Sequence, residues 1–216
     1  MKLSLVGMPG GGKSTVGRVL ARQLNAPFVD ADAEIEKLLD GETIKDYFAR
    51  MGESSFRDIE SRVILDLLKQ PGEMVLATGG GAVLRDLNRE RLHQHSTVVY
   101  LRSSPDELFR RLRHDTTRPL LQVGNPLAKL RELYAQRDPL YRRCAHFVLE
   151  TSRPSVHGLS NMILMQLELA GHIDPARVAA TVGATSTHPP GGEPEAPGTE
   201  ASQTAPAPQA PYTPGT

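Results

Sequence analysis

The stretch "VGMPGGGKSTVG", residues 6 to 17, decides how the rest of the chain reads. Gly7, Gly12, Lys13 and Ser14 fill the spacing G-x-x-x-x-G-K-[ST]. Glycines at these points let the backbone approach phosphate and point N–H groups at it. The lysine reaches the outer phosphates, and the serine hydroxyl can ligate Mg2+. The pattern has force only between a strand and a helix, and both are present. "KLSLVG" is a short apolar run stopped by glycine, as a buried strand is. After Ser14, the apolar residues Val16, Val19, Leu20 and Leu24 recur at helical spacing. The helix start turns its free N–H groups toward an anion. Such a loop holds a nucleoside triphosphate, but it does not name the group that receives the phosphoryl.

Moving outward, "APFVDAD", "EMVLAT", "TVVYLR" and "HFVLET" read as four further strands. Between them "AEIEKLL", "TIKDYFARM", "SFRDIESRVILDLLKQ", "LNRERLHQ" and "PDELFRRLR" read as helices, with Ser55 and Asp58 in a capping spacing. "LAKLRELYAQRDPLYRRC" reads as helical with a break at Pro139, and "SVHGLSNMILMQLELA" as a closing helix. "HDTTRPLLQVGNP" is polar and punctuated by Gly and Pro, which predicts a mobile loop. Strands alternating with helices predict an α/β fold, a parallel sheet with helices on both faces. Ligands then sit beyond the carboxyl ends of the strands. The glycine loop, the acids after the second strand and Gly79–Gly81 after the third all fall at that end.

The 216 residues suffice for one sizeable core. Lys+Arg and Asp+Glu both number 25, so no charge excess points to nucleic acid or a membrane surface. The single cysteine, Cys144, rules out an intrachain disulfide and suits a reducing compartment. The opening apolar run is too short for a signal peptide or membrane span, so the expectation is a cytoplasmic protein. From Gly183 onward there is no Leu, Ile, Val or Phe. Such a segment buries too little apolar surface to offset its ordering entropy, which predicts a disordered tail. The expected division is a kinase-like domain over 1–171 and a Pro/Gly/Ala-rich tail over 172–216.

The third strand ends at Thr78 without an acid, so metal help has to come from elsewhere. Asp30 and Asp32 end the second strand; on an extended segment, residues two apart share a face. One could hold a metal-bound water and the other an acceptor hydroxyl. Equally, both could cap the next helix. Arg57 and Glu60, three apart on a helix, read either as a surface ion pair or as an arginine oriented toward an anion. Arg137 stands in a basic stretch, and an arginine fork suits a carboxylate. The acceptor these residues describe carries a carboxylate and hydroxyls.

From about Leu3 to Leu169 the chain resembles the shikimate kinases. The likeness rests on "GMPGGGKSTVGR", "DADAEIE", "FRDIE", "TGGGAVL", "VVYL", "RPLL" and "RDPLYR", in family order and spacing. It implies a P-loop kinase fold, a five-stranded parallel sheet of order 2-3-1-4-5 with a mobile lid. It implies transfer of the ATP γ-phosphoryl, with Mg2+, to the 3-hydroxyl of shikimate in aromatic amino acid biosynthesis. The enzyme would act as a monomer on a small molecule, with no nucleic acid or membrane partner. By the resemblance, Gly10, Gly11, Gly12, Lys13, Ser14 and Thr15 hold the phosphates, Lys13 being catalytic. Ser14 ligates Mg2+ and Asp30 holds a metal-bound water. Asp32 engages the acceptor hydroxyls and is the proposed base. Arg57, Gly79, Gly80, Gly81 and Arg137 bind shikimate, with Glu60 supporting the arginines. Arg118 in "TRPLL" is the catalytic lid arginine, and Arg111 and Arg153 lie on the adenine side. A sugar-acid kinase of the gluconate type shares the loop and an anionic acceptor. A nucleotide-binding switch would want a guanine-reading N-K-x-D, which the chain lacks.

Overall fold

The computed structural model describes residues 1–113, 125–152 and 154–174. Strand β1 (Lys2–Val6) leads through the glycine loop into α1 (Lys13–Gln23). β2 (Phe28–Asp30) runs into α2 (Ala31–Leu38) and α3 (Ile44–Lys69). β3 (Met74–Ala77), a 3-10 turn (Ala82–Leu84) and α4 (Asp86–His95) precede β4 (Thr97–Arg102). α5 (Pro105–Leu112), α6 (Pro126–Cys144), β5 (Phe147–Glu150) and α7 (Val156–Leu169) follow. The five strands form one parallel sheet in the order β2-β3-β1-β4-β5, as expected.

The central strands are apolar on both faces because both are covered. Leu3, Leu5, Val75, Val99 and Leu101 point to one face, where they meet Val16 and Leu20 of α1 and Ile163 and Leu167 of α7. Val6, Leu76, Val98 and Tyr100 point to the other, against Ile64 of α3, Leu92 of α4, Leu108 of α5 and Leu130 of α6. Each fully buried aliphatic side chain contributes roughly 1.5–3 kcal/mol. Ile173, just beyond α7, is also buried in the first of these clusters. No helix among the described residues is long and apolar enough to cross a membrane.

Local chemistry sets the helix starts. Ser104 and Glu107 exchange reciprocal bonds at the head of α5, with Pro105 in its first turn. Thr43 caps α3 through the Asp46 N–H at 3.2 Å. Three expectations need correction. Ser55 caps nothing: Gly52, at φ 80° and ψ 171°, divides α3 into two helical runs as the two separate helix readings expect, but Ser55 lies within the second run and not at its cap. Asp58 instead pairs with Arg85 at 2.7 Å. Nor does Pro139 break α6. An internal proline costs about 3 kcal/mol, but fully buried Tyr141 and Cys144 and the Asp138–Arg142 pair hold the last turns helical. Finally, β2 stops at Asp30, and Asp32 belongs to the first turn of α2, not to a strand.

Candidate active site

The glycine loop closes β1 onto α1. Gly10 and Gly12 take positive φ, 78° and 86°, which favours glycine at both. The Gly11 N–H is spent within the loop, on the Met8 carbonyl at 3.0 Å. Gly10, Gly12, Lys13, Ser14 and Thr15 line a cavity of about 330 Å3 together with Asp30, Asp32 and Thr78. Lys13 is buried, and its Nζ donates to the carbonyls of Gly7 and Met8 at 2.9 and 3.0 Å. Ser14 Oγ donates to Asp30 Oδ2 at 2.7 Å. Asp30 also caps α2, accepting the Asp32 N–H at 3.2 Å. The capping reading therefore holds for Asp30, and it joins Ser14 through its other oxygen. Asp32 caps nothing; the helix turn aims it into the cleft.

A second cavity, of about 570 Å3, lies alongside. Asp32, Arg57, Glu60, Gly79, Gly80, Gly81 and Arg137 supply its polar wall. Ile44, Phe48 and Phe56 supply its apolar wall, and Lys45 also faces it. The two cavities share Asp32 and Gly80. A phosphate chain in one and an acceptor in the other would meet at these two residues.

The Arg57–Glu60 pair is not on the surface. Glu60 is 1% exposed and holds Arg57 Nη1 at 2.6 Å, while Glu53 takes Nη2 at 3.2 Å. Burial raises the Glu60 carboxyl above its usual range, and Arg57 opposes the shift. The Asp32 carboxyl is likewise raised, first by desolvation among its neighbours and then by Asp30, against the pull of Lys13. Solvent still reaches Asp32 through the open cleft. Arg137 donates from Nη1 to the Gly80 carbonyl at 3.2 Å, and its buried Nε has no hydrogen-bond partner among the described residues.

The triple glycine follows from crowding. A Cβ on Gly79 would sit 2.7 Å from Asp32 Oδ1 and 2.9 Å from Glu60 Oε1. One on Gly80 would sit 2.6 Å from the Pro9 ring, and one on Gly81 would overlap the Arg57 guanidinium. Thr78, where an acid is absent, is buried and donates to the Leu5 carbonyl at 3.1 Å. Arg111 lies outside both cavities and donates to the Thr151 carbonyl at 2.8 Å. Arg118 and Arg153, and most of the expected mobile loop, fall outside the described residues.

Sequence reasoning did not find the apolar wall or Tyr141, whose hydroxyl donates to the Gly80 carbonyl at 2.5 Å. Phe48 and Phe56 flank the Gly52 kink, with ring centroids 5.6 Å apart. Their only signal was two aromatics on either side of a glycine. Tyr141 had a better one, four residues after Arg137 and so on the same helix face.

A parallel sheet of this order, a phosphate loop and an adjoining acceptor cavity with paired arginines define a P-loop kinase for a small anionic acceptor. The family model for shikimate kinase matches residues 9–168. The chain belongs to the shikimate kinase family. It is 56% identical over 173 residues to the shikimate kinase of Paracidovorax citrulli, covering 79% of this chain and 94% of that one. It is 57% identical over 166 residues to that of Burkholderia thailandensis, covering 77% and 89%. A solved shikimate kinase from Acinetobacter baumannii, in complex with shikimate, is 44% identical with a TM-score of 0.74, covering 80% and 95%.

Proposed function

We propose that this chain transfers the γ-phosphoryl group of ATP to the 3-hydroxyl of shikimate, yielding shikimate 3-phosphate and ADP for aromatic amino acid biosynthesis. One observation carries the reading: the phosphate cavity and the acceptor cavity share Asp32 and Gly80, with Arg57 and Arg137 in the acceptor wall. Lys13 neutralises charge on the transferring group, where electrostatic positioning supplies most of the catalysis. Arg57 and Arg137 grip the ring carboxylate, and Glu60 holds Arg57 in line. Gly79–Gly81 give the ring room. Arg111, and Arg118 and Arg153 beyond the described residues, keep the nucleotide roles that the resemblance gives them.

Ser14 and Asp30 fit Mg2+: two hard oxygen groups meet at 2.7 Å in the phosphate cavity. No cluster of three or more His, Cys, Asp or Glu groups suited to a metal stands among the described residues. That suits an ion held by one or two side chains plus substrate phosphates and water. Bound there, Mg2+ supplies neutralisation of phosphate charge. The same reading has the enzyme working in the cytoplasm as a monomer. The test is a coupled assay with ATP and shikimate, gluconate and nucleoside monophosphates in parallel. Turnover with shikimate alone is expected; preference for another acceptor would contradict the proposal.

Asp32 orients the accepting hydroxyl and takes its proton. Asp32→Asn is expected to lower kcat at saturating shikimate by about 10²–10⁴-fold, the range of general-base contributions. Its stability should move the other way. The folded-state pKa of Asp32 is raised, so its carboxyl adds stability only while protonated, and that is lost as pH rises through the folded value. Without nucleotide or Mg2+, the Asn variant should therefore melt at or above the parent temperature at pH 7 to 8. The gain should fade toward acid pH. A lower Tm with unchanged kcat would make Asp32 structural.

Catalysis is assigned to residues 1–171, and residues 172–216 to a Pro/Gly/Ala-rich segment whose first residues still belong to the core through Ile173. Truncation after Gly183 keeps the buried Ile173. It is expected to leave kcat, both KM values and Tm unchanged, since the removed composition builds no core. A large loss in calorimetry or kinetics would show that the segment docks.

A further inference from the structure

The Gly80 carbonyl oxygen accepts two hydrogen bonds from one turn of α6, from Tyr141 Oη at 2.5 Å and from Arg137 Nη1 at 3.2 Å. A carbonyl offers two lone pairs, so both are taken. The phenol makes the shorter bond, and the guanidinium is held loosely by one nitrogen. Its Nε is buried without a partner among the described residues. A buried cationic N–H left unpaired is costly, so this side chain is held under-satisfied by its surroundings.

Tyr141 is itself fully buried, and its ring stacks on Tyr100 with centroids 4.9 Å apart. The Tyr100 hydroxyl donates to Asp138 at 2.8 Å, and Asp138 adjoins Arg137 in the chain. Asp138 also pairs with Arg142 at 2.8 Å and Arg102 at 3.4 Å, which ties this turn of α6 to β4. The phenol is therefore fixed from behind, and burial keeps it protonated as a donor.

We propose that Tyr141 is a positioning residue for the acceptor site: its hydroxyl shares the Gly80 carbonyl with Arg137, and this shared acceptor sets where the Arg137 guanidinium stands in the cavity wall. The proposal rests on the reading that Arg137 grips that carboxylate. Without the hydroxyl, Arg137 draws closer to the carbonyl oxygen and the guanidinium shifts within the cavity wall. Tyr141 acts through Arg137 and Gly80 and touches no reacting atom.

Tyr141→Phe removes one oxygen and keeps the ring stacked. It is expected to raise the KM for shikimate about 3- to 10-fold, with kcat and the KM for ATP within about 2-fold. In an Arg137→Ala background the same change should alter the shikimate KM by less than about 2-fold, because coupled residues are not additive. An equal effect in both backgrounds, or a fall in kcat with both KM values unchanged, would overturn the proposal. Arg137→Ala alone separates the two claims. If it leaves the shikimate KM untouched, the carboxylate reading fails and takes this inference with it. If it raises that KM while Tyr141→Phe does not, only the inference fails. A second readout needs no turnover: the Arg137 Nε–H resonance, assigned by its loss in Arg137→Lys, should shift in ligand-free Tyr141→Phe. An unmoved resonance would also overturn the proposal.

Discussion

Lys13→Ala is expected to lower kcat by about 10²–10³-fold or more, the loss typical of removing one preorganised donor from a transition-state charge. The side chain is buried and its ammonium sits between two loop carbonyls, 2.9 and 3.0 Å away. Those carbonyls hold it beside the phosphate cavity before any ligand arrives, so little reorganisation is needed when it transfers to phosphate oxygens. The charge on the transferring group is spread over three oxygens in the transition state, and a fixed cation is worth most there. Binding of ATP should weaken less than kcat falls. Circular dichroism and Tm would confirm a folded variant, because alanine also removes the two carbonyl contacts. Near-normal turnover in the folded protein would remove Lys13 from the chemistry.

Arg137→Ala is expected to act on binding instead. A desolvated, charge-assisted pair is worth roughly 2–5 kcal/mol, so the KM for shikimate should rise by about 30-fold or more. Arg137 donates to a neutral carbonyl at 3.2 Å and has no carboxylate partner within ion-pair distance among the described residues, which is the reason to place it at the large end of arginine effects. Arg57 already has Glu60 and Glu53 as partners, so its contribution to binding should be smaller. Arg137→Lys should recover only part of the loss, since an ammonium cannot reproduce the two-pronged geometry. Steady-state kinetics with shikimate varied at saturating ATP would measure both variants and the parent. Equal KM values for Lys, Ala and parent would exclude the contact.

The phosphate loop was legible because its chemistry is local: four residues at fixed spacing between a strand and a helix. The parallel α/β class followed from alternation along the chain, whereas the order 2-3-1-4-5 came only with the family resemblance. What stayed hidden depends on contacts distant in sequence. Nothing in the spacing of Arg57 and Glu60 says that the glutamate is 1% exposed; α3 packing decides that. Asp32 was aimed at the cleft for the wrong reason, since a helix turn and not a strand face presents it. Tyr141 reaches a carbonyl 61 residues away. Pro139 shows tertiary packing overriding a strong local preference, with buried side chains on the following turn holding the helix.

The central claim is that the loop's phosphoryl goes to a hydroxyl on a carboxylated ring read by Arg137. The most direct measurement is the ratio of kcat/KM for shikimate to that for its analogue without the carboxylate, in the parent and in Arg137→Ala. The account predicts a large ratio in the parent that collapses toward unity in the variant. A ratio as large in Arg137→Ala as in the parent would contradict it.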